Sequence, residues 1–132
     1  MADVKKLFGT DATKETEGVW ESLSEDVKIK VARIGNPNYQ KVLQRLMRPH
    51  RRAVRRGTVD DSVIEQCVTK AIAETVLLDW EGLEEDGKKL IYSRAEAERL
   101  LTSFREFREQ VTEIASEIEA FRTEEDEEAE KN

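Results

Sequence analysis

The sequence is poor in the residue types that build covalent or catalytic sites. Its 132 residues include one cysteine, one histidine, two prolines and 6% aromatic residues. A single cysteine can form neither an internal disulfide nor a cysteine-based zinc site. With one histidine and six scattered glycines, the sequence also lacks a nucleophile–base set and a phosphate-binding loop. We therefore predict no enzymatic activity, no catalytic residue, no metal site and no cofactor.

Long apolar runs are also missing. A membrane-spanning helix needs about 20 consecutive, predominantly apolar residues, and hydrophobic residues make up only 38% of this chain. We therefore expect no membrane partner. Charged residues reach 39%, above the ~25% typical of globular domains. The apolar residues suffice for one small core, and a deep cofactor pocket in addition is not expected.

Charge is distributed unevenly along the chain. The net charge is −7, and residues 124–132 hold six acidic residues and one lysine. Residues 45–56, in contrast, hold six arginines and no acidic residue. Such polarity is typical of a protein that binds its own tail or a charged partner.

The chain divides into three predicted parts. Residues 1–16 have few apolar positions and are expected to form a flexible leader. Residues 17–122 are predicted to form one α+β domain, mainly α, with a small N-terminal β-hairpin packed on a bundle of four or five helices. Residues 123–132 are expected to be a disordered acidic tail, because they have almost nothing to bury against the entropy of ordering.

Alternation of apolar and polar residues locates the hairpin. Val27, Ile29 and Val31 alternate with Lys28 and Lys30, which predicts a half-buried strand because successive side chains point to opposite faces. A short strand around the first tryptophan is its predicted partner. A two-stranded hairpin is marginal alone, so it is expected to pack on helices.

Capping signals and prolines locate the helices. Residues 35–38 (Gly-Asn-Pro-Asn) predict the start of one helix, and Pro49 predicts its end or a kink. A second helix, opened by a capping box at Ser62, is predicted to carry a wide apolar face as far as Leu78. Cys67 lies on that face and is interpreted as a small core residue and not as a nucleophile.

A basic stretch lies on the first of these helices. Arg45, Arg48, Arg52 and Arg55 are three, four and three residues apart, so on one continuous helix they share a face. That face could bind nucleic-acid phosphates, but few side chains suited to base recognition accompany it, and the acidic net charge repels a polyanion. Nucleic acid is therefore disfavoured as a partner. Ion pairs with the chain's own acids, or binding of an acidic protein segment, are the other interpretations.

The last predicted helix, from Phe104 to about Arg122, has the most regular apolar pattern. Its apolar residues are separated by 3, 4, 3, 4 and 3 positions, a heptad pattern. These candidate protein-binding residues, here called the apolar seam, are Phe104, Phe107, Val111, Ile114, Ile118 and Phe121. Such a seam packs against another helix, in the same chain or in a partner protein.

Several stretches, taken in order, resemble a known family. They are Gly18–Trp20, Arg33–Tyr39, Leu46–Gly57, Val76–Leu83, Tyr92–Leu101, Phe104–Phe107 and the acidic end that closes on Glu-Lys-Asn. Over roughly residues 17–132 the chain is similar to the tail assembly chaperones of long-tailed bacteriophages. None of these stretches is a catalytic signature.

The resemblance implies a small, mostly helical protein in the cytoplasm of the bacterial host. Such chaperones bind the long helical tape measure protein, keep its hydrophobic stretches soluble and help to recruit tail tube subunits. They are absent from the mature virion. In many phages a ribosomal frameshift also produces a longer form with an added domain, which would contact the tail tube protein. The resemblance implies that this chain would match the short form.

Two other functions remain open from the sequence. The alternative to a chaperone is a small nucleic-acid-binding or regulatory protein that uses the Arg45–Arg56 basic face. A structural subunit retained in the phage particle is the third. The expected partners are thus the tape measure protein, the tail tube protein through the longer form, and a second copy in a homo-oligomer.

Overall fold

Helices make up most of residues 1–123, the part of the chain that the computed structural model describes. The helices are α1 (Val4–Phe8), α2 (Ala12–Glu17), α3 (Pro37–Met47), α4 (Arg51–Arg56), α5 (Asp61–Thr75), α6 (Arg94–Ser103) and α7 (Arg105–Ser116), with 3-10 turns at Arg48–His50 and Ile118–Phe121. The strands are β1 (Val19–Ser22), β2 (Lys28–Val31), β3 (Leu77–Glu81), β4 (Glu84–Glu85) and β5 (Lys88–Lys89). The predicted class, α+β and mainly α with a small N-terminal hairpin, is confirmed.

The acidic tail predicted for residues 123–132 lies almost entirely outside the described residues, which end at Thr123. Within the described part of the chain, no helix is both long and apolar enough to cross a lipid bilayer.

The N-terminal hairpin forms as predicted and gains a third strand. Strands β1 and β2 pair antiparallel, and β3 adds to the other edge of β2, with Ile29 opposite Trp80. The prediction that the second helix continues to Leu78 is wrong, because α5 ends at Thr75. The run after Thr75 is apolar enough to extend a helix, but β2 offers an unpaired edge whose backbone groups it satisfies.

The core lies between this sheet and helices α5, α6 and α7. Its largest fully buried side chains come from all of these elements and are Phe121, Ile29, Ile72, Leu77, Leu101, Val31, Val76 and Val111. Helix α5 occupies the centre, since it contacts α3, α6 and β3. Cys67 is buried, as predicted, and its Sγ lies 3.7 Å from the carbonyl oxygen of Leu46.

The start and the end predicted for α3 are both found, and local chemistry explains them. The Asn36 side chain accepts a hydrogen bond of 3.0 Å from the N–H of Tyr39 and so caps α3, which ends at Met47 before Pro49. Gly57 ends α4 in the left-handed conformation, at φ 69°. The predicted capping box at Ser62 is wrong, because α5 begins at Asp61.

Residues 1–16, expected to form a flexible leader, contain α1 and the first part of α2. The Asp11 N–H donates to the carbonyl oxygen of Phe121 over 2.8 Å, and the Arg33 N–H donates to that of Glu15, also over 2.8 Å. The Arg122 guanidinium donates to the Leu7 carbonyl oxygen over 3.1 Å. These bonds attach both N-terminal helices to the end of the described chain and to the end of the sheet.

Burial of Ile72 is predicted to decide stability. Ile72→Ala should lower the free energy of unfolding by about 2–5 kcal/mol. Ile72 is only 1% exposed, so its truncation leaves a cavity in the core. The matched change Ile91→Ala, at a side chain that is 78% exposed, should stay within about 0.5 kcal/mol. Urea unfolding followed by circular dichroism measures both, and equal effects would contradict the assigned core.

The carboxylate of Glu15 is predicted to make the docking of α2 sensitive to acid. It accepts hydrogen bonds from the Thr10 hydroxyl at 2.6 Å and from Arg33 at 2.5 Å, which lower its pKa from the ordinary 4.5. A carboxylate whose pKa is lowered in the folded state stabilises the fold at pH values above its unfolded pKa. This stabilisation is lost as the pH falls through the folded pKa. Glu15→Gln should therefore cost up to about 1 kcal/mol at pH 7 and progressively less below pH 4.5. A pH-independent difference in unfolding free energy would contradict this.

Candidate functional site

A partly open apolar groove lies where α6, α7 and the β4–β5 hairpin meet; we call it the α6–α7 groove. Its volume is about 310 Å³. Apolar side chains form its walls: Leu83, Leu90, Leu100, Phe104 and Phe107. Carboxylates border it: Glu84, Glu85 and Glu106. The groove therefore combines an apolar interior with an acidic rim.

The groove exists because the chain bends sharply at Phe104. This residue has extended backbone angles, φ −118° and ψ 93°, between the end of α6 and the start of α7. Its N–H still donates to the Leu100 carbonyl oxygen over 2.9 Å, while its side chain remains 46% exposed. No side chain caps the start of α7.

The structure divides the apolar seam between the groove and the core. Val111 and Phe121 are fully buried, and Ile114 and Ile118 are half-buried. The last helix ends at Ser116, so the prediction of a continuous helix to about Arg122 is wrong.

That early end removes the heptad register from the last two seam positions. The backbone becomes extended at Glu117, at φ −77° and ψ 119°, before a 3-10 turn places Phe121 in the core. Phe104 and Phe107 are therefore the two seam residues that line the α6–α7 groove.

Two aromatic residues fix the groove wall opposite α7. The rings of Trp80 and Tyr92 meet edge to face with centroids 5.0 Å apart. The indole N–H of Trp80 donates to the Leu90 carbonyl oxygen over 2.9 Å, and the Tyr92 hydroxyl donates to the Leu77 carbonyl oxygen over 2.9 Å. Burial raises the pKa of Tyr92, so its phenol stays protonated and able to donate.

The same wall is closed by a small hairpin. A turn at Asp86–Gly87, with φ 52° and 78°, connects β4 to β5. The Leu90 N–H donates to the Leu83 carbonyl oxygen over 2.9 Å and closes the loop. Leu83 and Leu90 were not among the predicted site residues, although two leucines flanking a turn of this type are the signal that could have identified them.

An arginine attaches the hairpin to α6. Arg99 contacts Glu85 on β4 and Glu96 on its own helix, each at 2.9 Å. Hydrogen bonds from Arg99 lower the pKa of Glu96, and the bonds to Glu96 and Glu85 raise the pKa of the guanidinium. Within residues 1–123, Glu84 and Glu106 have no such cation, so two rim carboxylates remain available to a basic partner.

A second groove of about 450 Å³ lies between α3, α5 and α7. Ile34, Tyr39, Val68 and Ile72 contribute its apolar walls. An ion pair between Arg108 on α7 and Glu65 on α5 crosses this region. On α7 the groove is lined by polar side chains, Arg108, Glu109, Thr112 and Glu113, and by none of the seam residues.

The predicted basic face does not lie on one helix. Arg45 is on α3, Arg48 is on the 3-10 turn, and Arg52 and Arg55 are on α4. All four are exposed. Arg45 pairs with Glu74 at 2.8 Å, whereas the other three make no ion pair with any residue in the described range. Within the described residues, the interpretation that the basic face forms ion pairs with the chain's own acidic residues therefore holds for Arg45.

Comparison with known families gives one match. A family model described as YdaY prophage protein matches residues 34–132. This range covers α3 to α7, both grooves and the basic stretch. Neither curated proteins nor solved structures contain a chain that matches this one.

Removing the Arg99 attachment is predicted to loosen the hairpin wall without unfolding the domain. Arg99→Gln should accelerate hydrogen exchange of the Leu90 amide several-fold, because the β4–β5 hairpin then loses its ion pair to α6. Arg105→Gln, which removes an exposed pair with Glu109 on α7, is the control and should leave that amide unchanged. Equal exchange in both variants would contradict the role assigned to Arg99.

Proposed function

The chain belongs to the YdaY prophage protein family, a phage-derived family, and from this premise we propose that it is a tail assembly chaperone. In this proposal it binds the tape measure protein reversibly, keeps its hydrophobic stretches soluble and helps to bring tail tube subunits to it. The ordered stretches that resemble such chaperones support the proposal, and a phage origin is compatible with it.

One observation carries the proposal: an apolar groove is left open on a protein with an acidic surface. Phe104 projects from the break between two helices and is 46% exposed, next to half-buried Phe107. Exposed aromatic surface favours burial, at about 25 cal/mol per Å² of apolar area. An open apolar site of this kind is typical of a protein that binds another polypeptide.

The geometry suits a helical client. Helix-in-groove recognition uses apolar anchors at positions i, i+3, i+4 and i+7. A groove of about 310 Å³ has room for few large side chains, so each contact is weak and easily reversed. Reversibility is required of a chaperone, since the tail tube must later replace it on the tape measure protein.

Charge supports the same function. A net charge of −7 helps to keep a complex with an apolar client in solution. The uncompensated rim carboxylates Glu84 and Glu106 favour client segments in which lysine or arginine flanks the apolar anchors.

The cellular context follows from this function. The protein would act in the cytoplasm of the bacterial host and would be absent from the mature virion. A longer frameshifted form would contact the tail tube protein, with the added domain following the acidic end of this chain. Mass spectrometry of purified virions distinguishes this from a structural subunit, which would remain in the particle.

A binding experiment with matched variants tests the proposal. Phe104→Asp and Val54→Asp each place a charge at a side chain that is 46% exposed, so both variants should fold, as circular dichroism would verify. Co-purification with the tape measure protein of the same phage should be lost with Phe104→Asp, at least tenfold in affinity or about 1.4 kcal/mol, and kept with Val54→Asp. Failure of the unmodified chain to bind, together with normal tail assembly after deletion of its gene, would contradict the proposal.

The exposed arginines favour a second candidate, a nucleic-acid-binding or regulatory protein. Arg48, Arg52 and Arg55 are exposed and make no ion pair within residues 1–123. This function requires an affinity for DNA or RNA that falls steeply as salt rises. A gel-shift assay at low salt that detects no complex would eliminate it.

A further inference from the structure

The N-terminal helix carries an apolar stripe that the described fold leaves uncovered. Val4, Leu7 and Phe8 are 71%, 45% and 66% exposed. They occupy positions i, i+3 and i+4 of α1, so they lie on one face of that helix. Lys5 and Lys6 flank them. An exposed phenylalanine and leucine next to two lysines are the features that the α6–α7 groove is suited to bind.

The groove complements this stripe in both apolarity and charge. Its walls are leucine and phenylalanine side chains, and its rim holds Glu84 and Glu106, neither of which forms an ion pair within the described range. Lys88 and Lys89 lie opposite β4 in the hairpin register but do not line the groove. Basic residues flanking an apolar anchor therefore meet carboxylates at the groove mouth.

The two surfaces lie at opposite ends of α7 within one molecule. The groove is formed at the first turn of α7, by Phe104 and Phe107. Helix α1 is held by the segment that follows α7, because Arg122, six residues beyond Ser116, donates to the Leu7 carbonyl oxygen. A helix of twelve residues is about 18 Å long. The stripe of one copy is thus placed to meet the groove of another copy and not its own.

We propose that the α1 stripe of one copy docks in the α6–α7 groove of a second copy. The interface is head-to-tail, because two different surfaces meet, so it can repeat into a ring or a short filament. This inference concerns the protein alone and does not depend on which client the groove binds. Because the stripe and a client segment would occupy the same groove, they would compete for it, and client binding would release the stripe.

Sedimentation velocity on the full chain tests the proposal over a range of concentrations. Leu7→Glu with Phe8→Glu removes the stripe, and Phe104→Glu removes the groove. Each variant alone should sediment as a monomer at concentrations at which the unmodified chain assembles, because its self-association is at least tenfold weaker. The control Val54→Glu, at a side chain as exposed as that of Phe104, should assemble like the unmodified chain.

Mixing the two variants provides the decisive arm. A head-to-tail interface retains one intact stripe and one intact groove in the mixture, so the mixture should form a dimer and nothing larger. A symmetric interface would not be restored in this way, and that result would overturn the proposal.

Charge exchange keeps the proposal testable if Phe104→Glu disturbs the fold. Lys5→Glu with Lys6→Glu should weaken assembly, and mixing with Glu84→Lys plus Glu106→Lys should restore it. The proposal is overturned if the unmodified chain is monomeric up to about 1 mM, or if it assembles and neither the stripe nor the groove variants change its assembly.

Discussion

The extended backbone at Phe104 is the constraint on which the rest of the structure depends. Without it, α6 and α7 would form one straight helix, and only part of that helix could reach α5 and the sheet. The bend lets both helices contribute buried residues, among them Leu101 and Val111. It also leaves the Phe104 side chain outside the core. There the helices on either side of the bend and the β4–β5 hairpin enclose the α6–α7 groove. The core and the candidate site are therefore consequences of one local conformation.

Features that depend on neighbours in sequence could be predicted, and features that depend on distant partners could not. The helix start at residues 35–38 and the alternation in β2 are local, and the structure contains both. Strand β3 could not be predicted, because its apolar run fits a helical pattern as well as a strand pattern. Only the free edge of β2, which the sequence does not reveal, favours the strand. The early end of α7 was missed for a similar reason, since the heptad spacing continues through a turn that tertiary packing converts to 3-10 geometry.

The candidate site was predicted in part. Two seam residues, Phe104 and Phe107, line the groove, whereas Val111 and Phe121 serve the core. Regular apolar spacing identifies a buried face but does not distinguish burial within the chain from burial against a partner. The acidic rim combines residues from β4 and from α7, so no single stretch of sequence contains it. The four arginines of the predicted basic face, in contrast, are all exposed.

A protein with a net charge of −7 and an open apolar groove is suited to transient contact with another polypeptide. Hydrogen exchange of the chain bound to the tape measure protein tests this account most directly, because it reports which amides the client covers. The account predicts slower exchange in residues 83–90 and 100–107, which form the groove, and no change in residues 45–56. Protection confined to residues 45–56 would contradict it.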